Sequence, residues 1–364
     1  MTEHLVKKQK RLLIIDGLNI YMRSYIANPS ISTNGDPIGG CKGFLMSLQK
    51  IARNVNPDRI VVVWDGNGGS ARKRKLCPGY KGGRKPVRLN RAVRDLLTEA
   101  QEQANKAWQY TNTVDYLDLM PVTQICINGF EADDIISYVN SMSCFHGYTR
   151  IIVSTDKDFY QCVSNDAIAG QTAIYRPKQL TKKAKEAAKE AGLPPRDYEV
   201  ITEKNLIEST GIHPSNFVIA RTMEGDKSDN LPGIPGVGLK TVAKKFPFLR
   251  EDNEYYLQDI YEECEKNLGK AKIYDTILEN KSITDLNYQM MQLAAPNLSA
   301  QAGRQIQSRI KSPLQFNKTA IAASMIADGF GTGNWDELYA MCRRFISAQK
   351  TTNTKRTTNT CKKI

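Results

Sequence analysis

RLLIID (11–16) is an uninterrupted apolar run that ends on an acid, and its form decides the fold. RIVVVWD (59–65) and RIIVSTDKD (150–158) repeat the pattern, and VTQICI (122–127) is a further short run of strand formers. Short runs that are apolar throughout, rather than alternating, suit strands covered on both faces. Between them lie helix-compatible stretches: CKGFLMSLQKIARNV (41–55), RAVRDLLTEAQEQANKAW (91–108) and EADDIISYVNSMS (131–143). Strands alternating with helices predict an α/β fold with a parallel sheet flanked by helices. In such sheets ligands bind outside the carboxyl ends of the strands. Asp16, Asp65 and Asp156 stand at that edge. A single acid there is an ordinary turn former or helix cap. Three converging in one sheet repel one another and call for a cation.

More carboxylates point the same way. Glu131, Asp133 and Asp134 open a helix-like run, where capping accounts for one or two of them but not for three. Asp156 and Asp158 in STDKDF are spaced to face one centre from a tight turn, and Asp226 and Asp229 lie in GDKSDN. Hard divalent cations take such oxygen ligands. Two ions together can activate a water and stabilise the leaving oxygen of a phosphodiester. The chain has only three histidines, His4, His146 and His213, which argues against a histidine zinc site and against Ser-His or Cys-His chemistry. Its eight cysteines are scattered without a C-x-x-C pair, which fits a reducing cytoplasm better than a disulfide framework.

The charge is distributed unevenly. The 364 residues carry Lys+Arg 51 against Asp+Glu 38, a formal +13. Residues 66–94 contain Arg72, Lys73, Arg74, Lys75, Lys81, Arg84, Lys85, Arg88, Arg91 and Arg94, and no acid. A solubilising loop is the competing reading, but a solvating surface normally mixes signs. This glycine-rich segment is expected to become ordered only on a polyanion. The Ala-rich TKKAKEAAKEAG (181–192) mixes in Glu186 and Glu190 and reads as a solvated helix. Hydrophobic residues at 41% are those of a globular chain, and no apolar run approaches the roughly 20 residues of a membrane span. The N-terminus leads into a strand rather than a signal peptide. From about residue 200 the text is helical, and the polar tail (346–364) is expected to be disordered.

GIPGVGLKT (233–241) almost spells a phosphate-binding P-loop, but Leu239 separates Gly238 from Lys240. It reads better as a helix–hairpin–helix over 216–246. There Gly236 and Gly238 admit a close phosphate, and Lys240, Lys244 and Lys245 add contacts. A plain turn between helices is the alternative.

DGLNIYMR (16–23), VVWDG (62–66), YKGGR (80–84), EADD (131–134), STDKDF (154–159) and GDKSDNLPGIPGVGLKT (225–241) stand in an order that resembles the structure-specific 5′ nuclease family. That family includes flap endonucleases, the 5′-nuclease domain of bacterial DNA polymerase I, and phage 5′→3′ exonucleases of the phage RNase H type. The resemblance covers residues 11–245.

It implies a PIN-like catalytic domain over 11–200, with a basic helical arch at about 66–120 over a single strand. It also implies a helical DNA-binding domain over 201–345. Asp16, Asp65, Glu131, Asp133, Asp134, Asp156, Asp158, Asp226 and Asp229 match the family's metal-coordinating acids. Lys81 and Arg84 match its phosphate-contacting pair, and Tyr80 the aromatic before that lysine. Arg23, Arg72, Lys73, Arg74, Lys75, Lys85, Arg88, Gly236, Gly238, Lys240 and Lys244 are the DNA-binding candidates.

The implied cofactors are two Mg²⁺ ions, with Mn²⁺ able to substitute, and K⁺ at the hairpin. The implied activity is 5′→3′ exonuclease and flap endonuclease cleavage, with RNase H-like action on RNA-primed DNA, in replication and repair. The implied partners are DNA and RNA–DNA duplexes with 5′ ends or flaps, and a single-strand-binding protein or replication clamp. No membrane is involved, the chain is a monomer, and it works in the cytoplasm, the host's if phage-encoded. A silent junction-binding relative would have lost some of these acids, and a toxin-like PIN ribonuclease would lack the hairpin. Residues 176–200 are longer than the family pattern, and 250–345 carry no strong motif.

Overall fold

The structure is a computed structural model that describes residues 9–192, 195–331, 333 and 335–347. Most of the expected tail, from 348, lies outside the described residues. The chain runs β1 (Arg11–Asp16), α1 (Gly17–Ala27), α2 (Gly39–Val55), β2 (Arg59–Trp64), α3 (Ala71–Leu76), α4 (Glu99–Asp118) and β3 (Thr123–Cys126). It continues through α5 (Ala132–Ser141), β4 (Thr149–Val153), β5 (Ser164–Asp166), β6 (Gly170–Pro177), α6 (Lys182–Glu190) and β7 (Tyr198–Ile201). The remainder is helical: α7 (Glu203–Thr210), α8 (Phe217–Glu224), α9 (Leu239–Lys245), α10 (Leu257–Lys266), α11 (Lys272–Glu279), α12 (Lys281–Met291), α13 (Ala300–Lys311) and α14 (Lys318–Ala327). The strands form a mixed, mostly parallel sheet flanked by helices.

Two compact units divide the chain. The first gathers residues 10–64, 86–126 and the segment from 299. In it β2 lies between β1 and β3, all parallel, in a register that pairs Leu13 with Ile60 and Val62 with Gln124. Leu12 to Ile15 and Ile60 to Val63 are buried, as continuous apolar runs require. Trp64 closes this core against Phe44, with centroids 5.7 Å apart, and Tyr110, at 5.1 Å edge-on. Helix α4 begins at Glu99, later than the sequence pattern from 91 suggests. Thr98 and Gln101 form a capping box there, while Asn90 turns the preceding chain by accepting from the Ala92 amide at 2.9 Å. The buried carboxylate of Glu102 then holds the basic stretch: it accepts from the Leu89 amide at 2.5 Å and from Arg88 Nε at 2.8 Å.

The second unit comprises Asp65–Lys85 and Ile127–Leu298. Strand β4 pairs in parallel with β6, while β5 and β7 run antiparallel to β6. The expected strand at 150–158 stops at Val153 because side chains take over its amides. Ser154 Oγ accepts from the Asp156 amide at 3.1 Å, and Asp156 Oδ1 from the Asp158 amide at 2.9 Å. The residues beyond the family pattern build α6 and β7. Tyr198 of β7 stacks on Tyr175 of β6 at 4.4 Å.

After α8, Gly225 turns with φ +73, and a Cβ there would lie 2.3 Å from the Gly233 amide nitrogen. A Cβ on Gly233 would lie 2.0 Å from the Glu224 carbonyl oxygen. These two backbones touch, so only glycine fits either place. Asn287 of α12 clasps the same loop by donating to the Thr222 and Pro232 carbonyls, both at 2.8 Å. The hairpin then reaches α9 through Gly236, at φ +77, with open space around it.

Gly233→Ala should therefore cost about 3 kcal/mol or more through backbone overlap. Gly236→Ala should cost only about 1 kcal/mol, from its left-handed conformation. Urea unfolding of the two variants checks this, and equal losses would contradict the close approach at Gly233.

Candidate active site

The site of the second unit is built from several loops and the start of α5. Asp65 follows β2, and its Oδ1 accepts from the Ala132 amide at 2.8 Å. It thereby supplies the cap for α5 that Glu131, at the N-cap position, does not make with its own side chain. Glu131 is left to face two lysines. Lys73 Nζ stands 2.8 Å from its Oε2, and Lys81 Nζ 2.6 Å from its Oε1. Tyr80 adds its hydroxyl at 3.1 Å, and both ammonium groups lie over its ring, at 5.6 and 5.0 Å. Glu131 is only 2% exposed. Burial alone would raise its carboxyl, but Lys73 and Lys81 outweigh burial and hold it down at about 2. Asp133 and Asp134 occupy the first turn of α5. Burial opposes the charge on Lys81, yet Glu131 and Asp133 raise its pKa.

The second loop is the turn at 79–84. Lys81 sits in the left-handed region at φ +55, a conformation that costs about 1 kcal/mol for a residue with a Cβ. The turn is held from outside. The Lys81 amide donates to the Asp229 carbonyl at 2.9 Å, and Asn230 Nδ2 donates to the Gly79 carbonyl at 2.9 Å. Arg84 pairs with the Asp229 carboxylate, and its Nε donates to the Ser228 carbonyl at 3.0 Å. The YKGGR turn is thus docked on the GDKSDN loop.

The third loop carries Asp156 and Asp158. Burial raises both carboxyls above their ordinary value. Asp229 and Asp226 add to this at Asp156, and the Asp156 charge takes Asp158 to about 7 although Arg221 is bonded to it. Arg221 of α8 is buried, with Nε 3.1 Å from Asp158 Oδ1 and Nη2 2.7 Å from Asp226 Oδ2. It also pairs with Glu224. At Asp226 burial is outweighed by Ser228 and Arg221, which lower its pKa.

The placement of the sequence candidates is therefore specific. The second unit carries Asp65, Glu131, Asp133, Asp134, Asp156, Asp158, Asp226 and Asp229 on its loops and the first turn of α5, together with Lys73, Tyr80, Lys81 and Arg84. Arg74, Lys75 and Lys85 are exposed there, and Arg72 reaches the Asn297 side-chain oxygen at 2.6 Å once that amide is turned. Lys240 and Lys244 are exposed on α9, where Gly238 takes an extended conformation as the N-cap. Asp16 belongs to the first unit, where its Oδ1 caps α1 by accepting from the Asn19 amide at 3.1 Å. Arg23 and Arg88 also lie in that unit.

The basic segment differs from the mobile loop that its charge predicts. Lys73, Lys81 and Arg84 meet the protein's own carboxylates, which take the part of the polyanion. Sequence reading missed Arg221. Its signal is a lone cation in the apolar helix FVIARTME, which must find an acid when buried.

Among the described residues no three His, Cys, Asp or Glu side chains converge into a ready-made metal cage. The donor chemistry nevertheless suits a hard cation. At Asp156 and Asp158 burial and like charge penalise the ionised carboxylates despite Arg221, a penalty that a bound cation would relieve. Mg²⁺ is ordinarily held by one or two carboxylates with waters completing its shell.

The 5′-3′ exonuclease N-terminal resolvase-like domain model matches residues 11–192, half of the chain. The thermostable DNA polymerase I of Thermus thermophilus is 27% identical over 241 residues, covering 66% of this chain and 24% of that protein. The chain thus spans about a quarter of the length of such polymerase relatives. A 5′-3′ exonuclease of Aquifex aeolicus is 27% identical over 288 residues, covering 77% of this chain and 84% of that one. Among solved structures, the zinc-bound T5 5′-exonuclease matches with a TM-score of 0.59 at 16% identity, covering 83% of this chain and 99% of that one. This last likeness shows a shared fold.

Two titrations of opposite sign follow. Glu131 stabilises the fold at pH values above its unfolded pKa of about 4.3, and this is lost as pH falls toward about 2. Asp158 stabilises the metal-free fold below its unfolded pKa of about 3.9, and this is lost as pH rises through about 7. Relative to wild type, Asp158→Asn should therefore be less destabilised at about pH 8 than at about pH 5. Urea unfolding in EDTA at the two pH values checks this, and an unchanged difference would contradict it.

Proposed function

The chain belongs to the 5′-3′ exonuclease family through its N-terminal resolvase-like domain, and from that premise we propose that it is a 5′→3′ exonuclease and flap endonuclease dependent on divalent metal ions. Its substrates on this reading are branched, nicked or RNA-primed duplexes with 5′ ends, cleaved in primer removal and repair. One observation carries the reading: in a single unit Glu131 and Asp229 meet Lys73, Lys81 and Arg84 of a basic segment suited to phosphate, with Asp156 and Asp158 near Asp229 and Asp226.

Asp65, Glu131, Asp133, Asp134, Asp156, Asp158 and Asp229 are the proposed acids for Mg²⁺; the family resemblance also points to Asp16 and Asp226, but both Asp226 oxygens are already engaged by Arg221, Ser228 and the Asp229 amide. Zinc is bound in the T5 5′-exonuclease, whose fold this chain shares. Bound divalent ions supply charge that lowers the pKa of water and neutralises a phosphodiester.

The protein's own cations do the rest. Lys81 and Arg84 can meet a phosphate by giving up part of their bonds to Glu131 and Asp229, and there they stabilise the negative charge that grows during cleavage. The exposed Arg74, Lys75 and Lys85 guide the strand through phosphate contacts without reading its sequence. Lys240 and Lys244 of the hairpin grip duplex in the same manner. Tyr80, buried under both lysines, aims them rather than offering a stacking face.

Asp156→Asn should reduce Mg²⁺-dependent cleavage of a 5′-flap by at least about 100-fold and leave flap binding in EDTA within about 2-fold. Cleavage at the normal rate would remove Asp156 from the proposed acids. The triple change Arg74→Gln, Lys75→Gln, Lys85→Gln should lower the slope of log affinity against log salt by about 2 for single-stranded DNA. An unaltered slope would mean that these residues do not touch phosphate.

A further inference from the structure

Arg221 has no counterpart among the motif residues, yet it bonds more of the carboxylate loops than any motif cation does. Its side chain is 5% exposed. Nε donates to Asp158 Oδ1 at 3.1 Å, Nη2 to Asp226 Oδ2 at 2.7 Å, and Nη1 to the Gly225 carbonyl at 3.0 Å and to Glu224. One planar group thus joins the turn after β4 to the loop after α8. A guanidinium presents several donors in a rigid fork, whereas a lysine offers a single point charge.

The acceptors define what the fork leaves available. The other oxygen of Asp226, Oδ1, accepts from the Ser228 amide at 2.7 Å, from Ser228 Oγ at 2.7 Å and from the Asp229 amide at 3.3 Å. Both oxygens of Asp226 are therefore taken up by the protein. Asp158 offers one oxygen to Arg221, while its amide is tied to Asp156 Oδ1 at 2.9 Å. Arg221 fixes the rotation of Asp158 next to Asp156, and Asp226 braces the guanidinium from the other side. A single positive charge set among Asp158, Glu224 and Asp226 leaves the cluster net negative.

We propose that Arg221 is a positioning residue: it holds Asp158 beside Asp156 for a divalent cation and makes Asp226 its brace rather than a ligand. This rests on the reading of the site as that of a divalent-ion nuclease. Arginine suits the task because it orients both acids at once and stays charged. Groups that orient metal ligands without touching the metal ordinarily change metal affinity or activity by about 10–100-fold when removed.

The test uses the full chain, Mn²⁺ as the probe, and the variants Arg221→Lys, Arg221→Gln and Asp226→Asn, with folding followed by circular dichroism. Arg221→Lys keeps the charge and loses the fork. It should bind duplex in EDTA as wild type does, but shift the Mn²⁺ isotherm or the saturating-Mn²⁺ kcat by about 10–100-fold. Arg221→Gln should fall further, and Lys should rescue part of its loss. A lower Tm with an unchanged isotherm and kcat in Arg221→Lys would mean a merely structural arginine and would overturn the proposal. Should the Arg221 variants fail to fold, Asp226→Asn decides. It should bind as many Mn²⁺ ions as wild type, and loss of an ion would make Asp226 a ligand and sink the brace.

The two readings fail differently. A wild-type chain that cleaves no 5′-ended substrate, while Arg221→Lys still shifts the isotherm, removes the nuclease and keeps the positioning role. A wild-type chain that cleaves with Mn²⁺ and an Arg221→Lys variant that matches it throughout do the reverse.

Discussion

Repulsion between carboxylates withdrawn from water is the constraint on which the second unit depends. The charges of Asp226 and Asp229 raise the proton affinity of Asp156, and those of Asp156 and Asp226 raise that of Asp158. Burying such groups without partners is costly, because a low dielectric strengthens repulsion while removing solvation. Several of the acids are therefore met by a specific cation. Lys73 and Lys81 take Glu131, Arg84 takes Asp229, and Arg221 takes Asp158, Glu224 and Asp226. What remains uncancelled lies at Asp156 and Asp158, where burial and like charge both raise the pKa.

This pairing explains why the basic segment is shaped as it is. Its ten positive charges do not form a uniform surface. Lys73 and Lys81 are folded inward on a glutamate, Arg84 braces a loop, and Arg88 of the other unit is anchored on Glu102. Arg74, Lys75 and Lys85 remain outward. The segment thus divides into cations that neutralise the site and cations that face solvent. A buried ion pair adds little net stability against an apolar alternative, but losing one partner costs about 3–5 kcal/mol. Such pairs define the arrangement of the loops more than they stabilise it.

Much of this was legible from residues alone. The apolar runs ending on Asp16 and Asp65 marked β1 and β2, and EADD marked the start of α5, because strand burial and helix starts are local patterns. LPGIPGVG marked the turn between α8 and α9. Local text also misled in definite places. The 91–98 stretch has helical periodicity, but the Thr98–Gln101 box starts α4 later. GQTAIYRP hid β6, since its glycine, threonine and arginine interrupt the apolar run. Asp65 was legible as an acid at a strand end, not as the cap of a helix that begins at residue 132.

The sequence by itself determined the types of group and their order: carboxylates at strand ends and a helix start, a basic glycine-rich stretch, and a hairpin of glycines followed by lysines. These are properties of neighbouring residues, set by periodicity, turn chemistry and charge. Only the tertiary structure decided which cation meets which acid. Lys81 and Glu131 lie 50 positions apart, Arg84 and Asp229 lie 145 apart, and Arg221 and Asp158 lie 63 apart. Coulomb attraction acts through distance in space, and the loops that bring these groups together are positioned by the packed sheet and helices rather than by their own sequence.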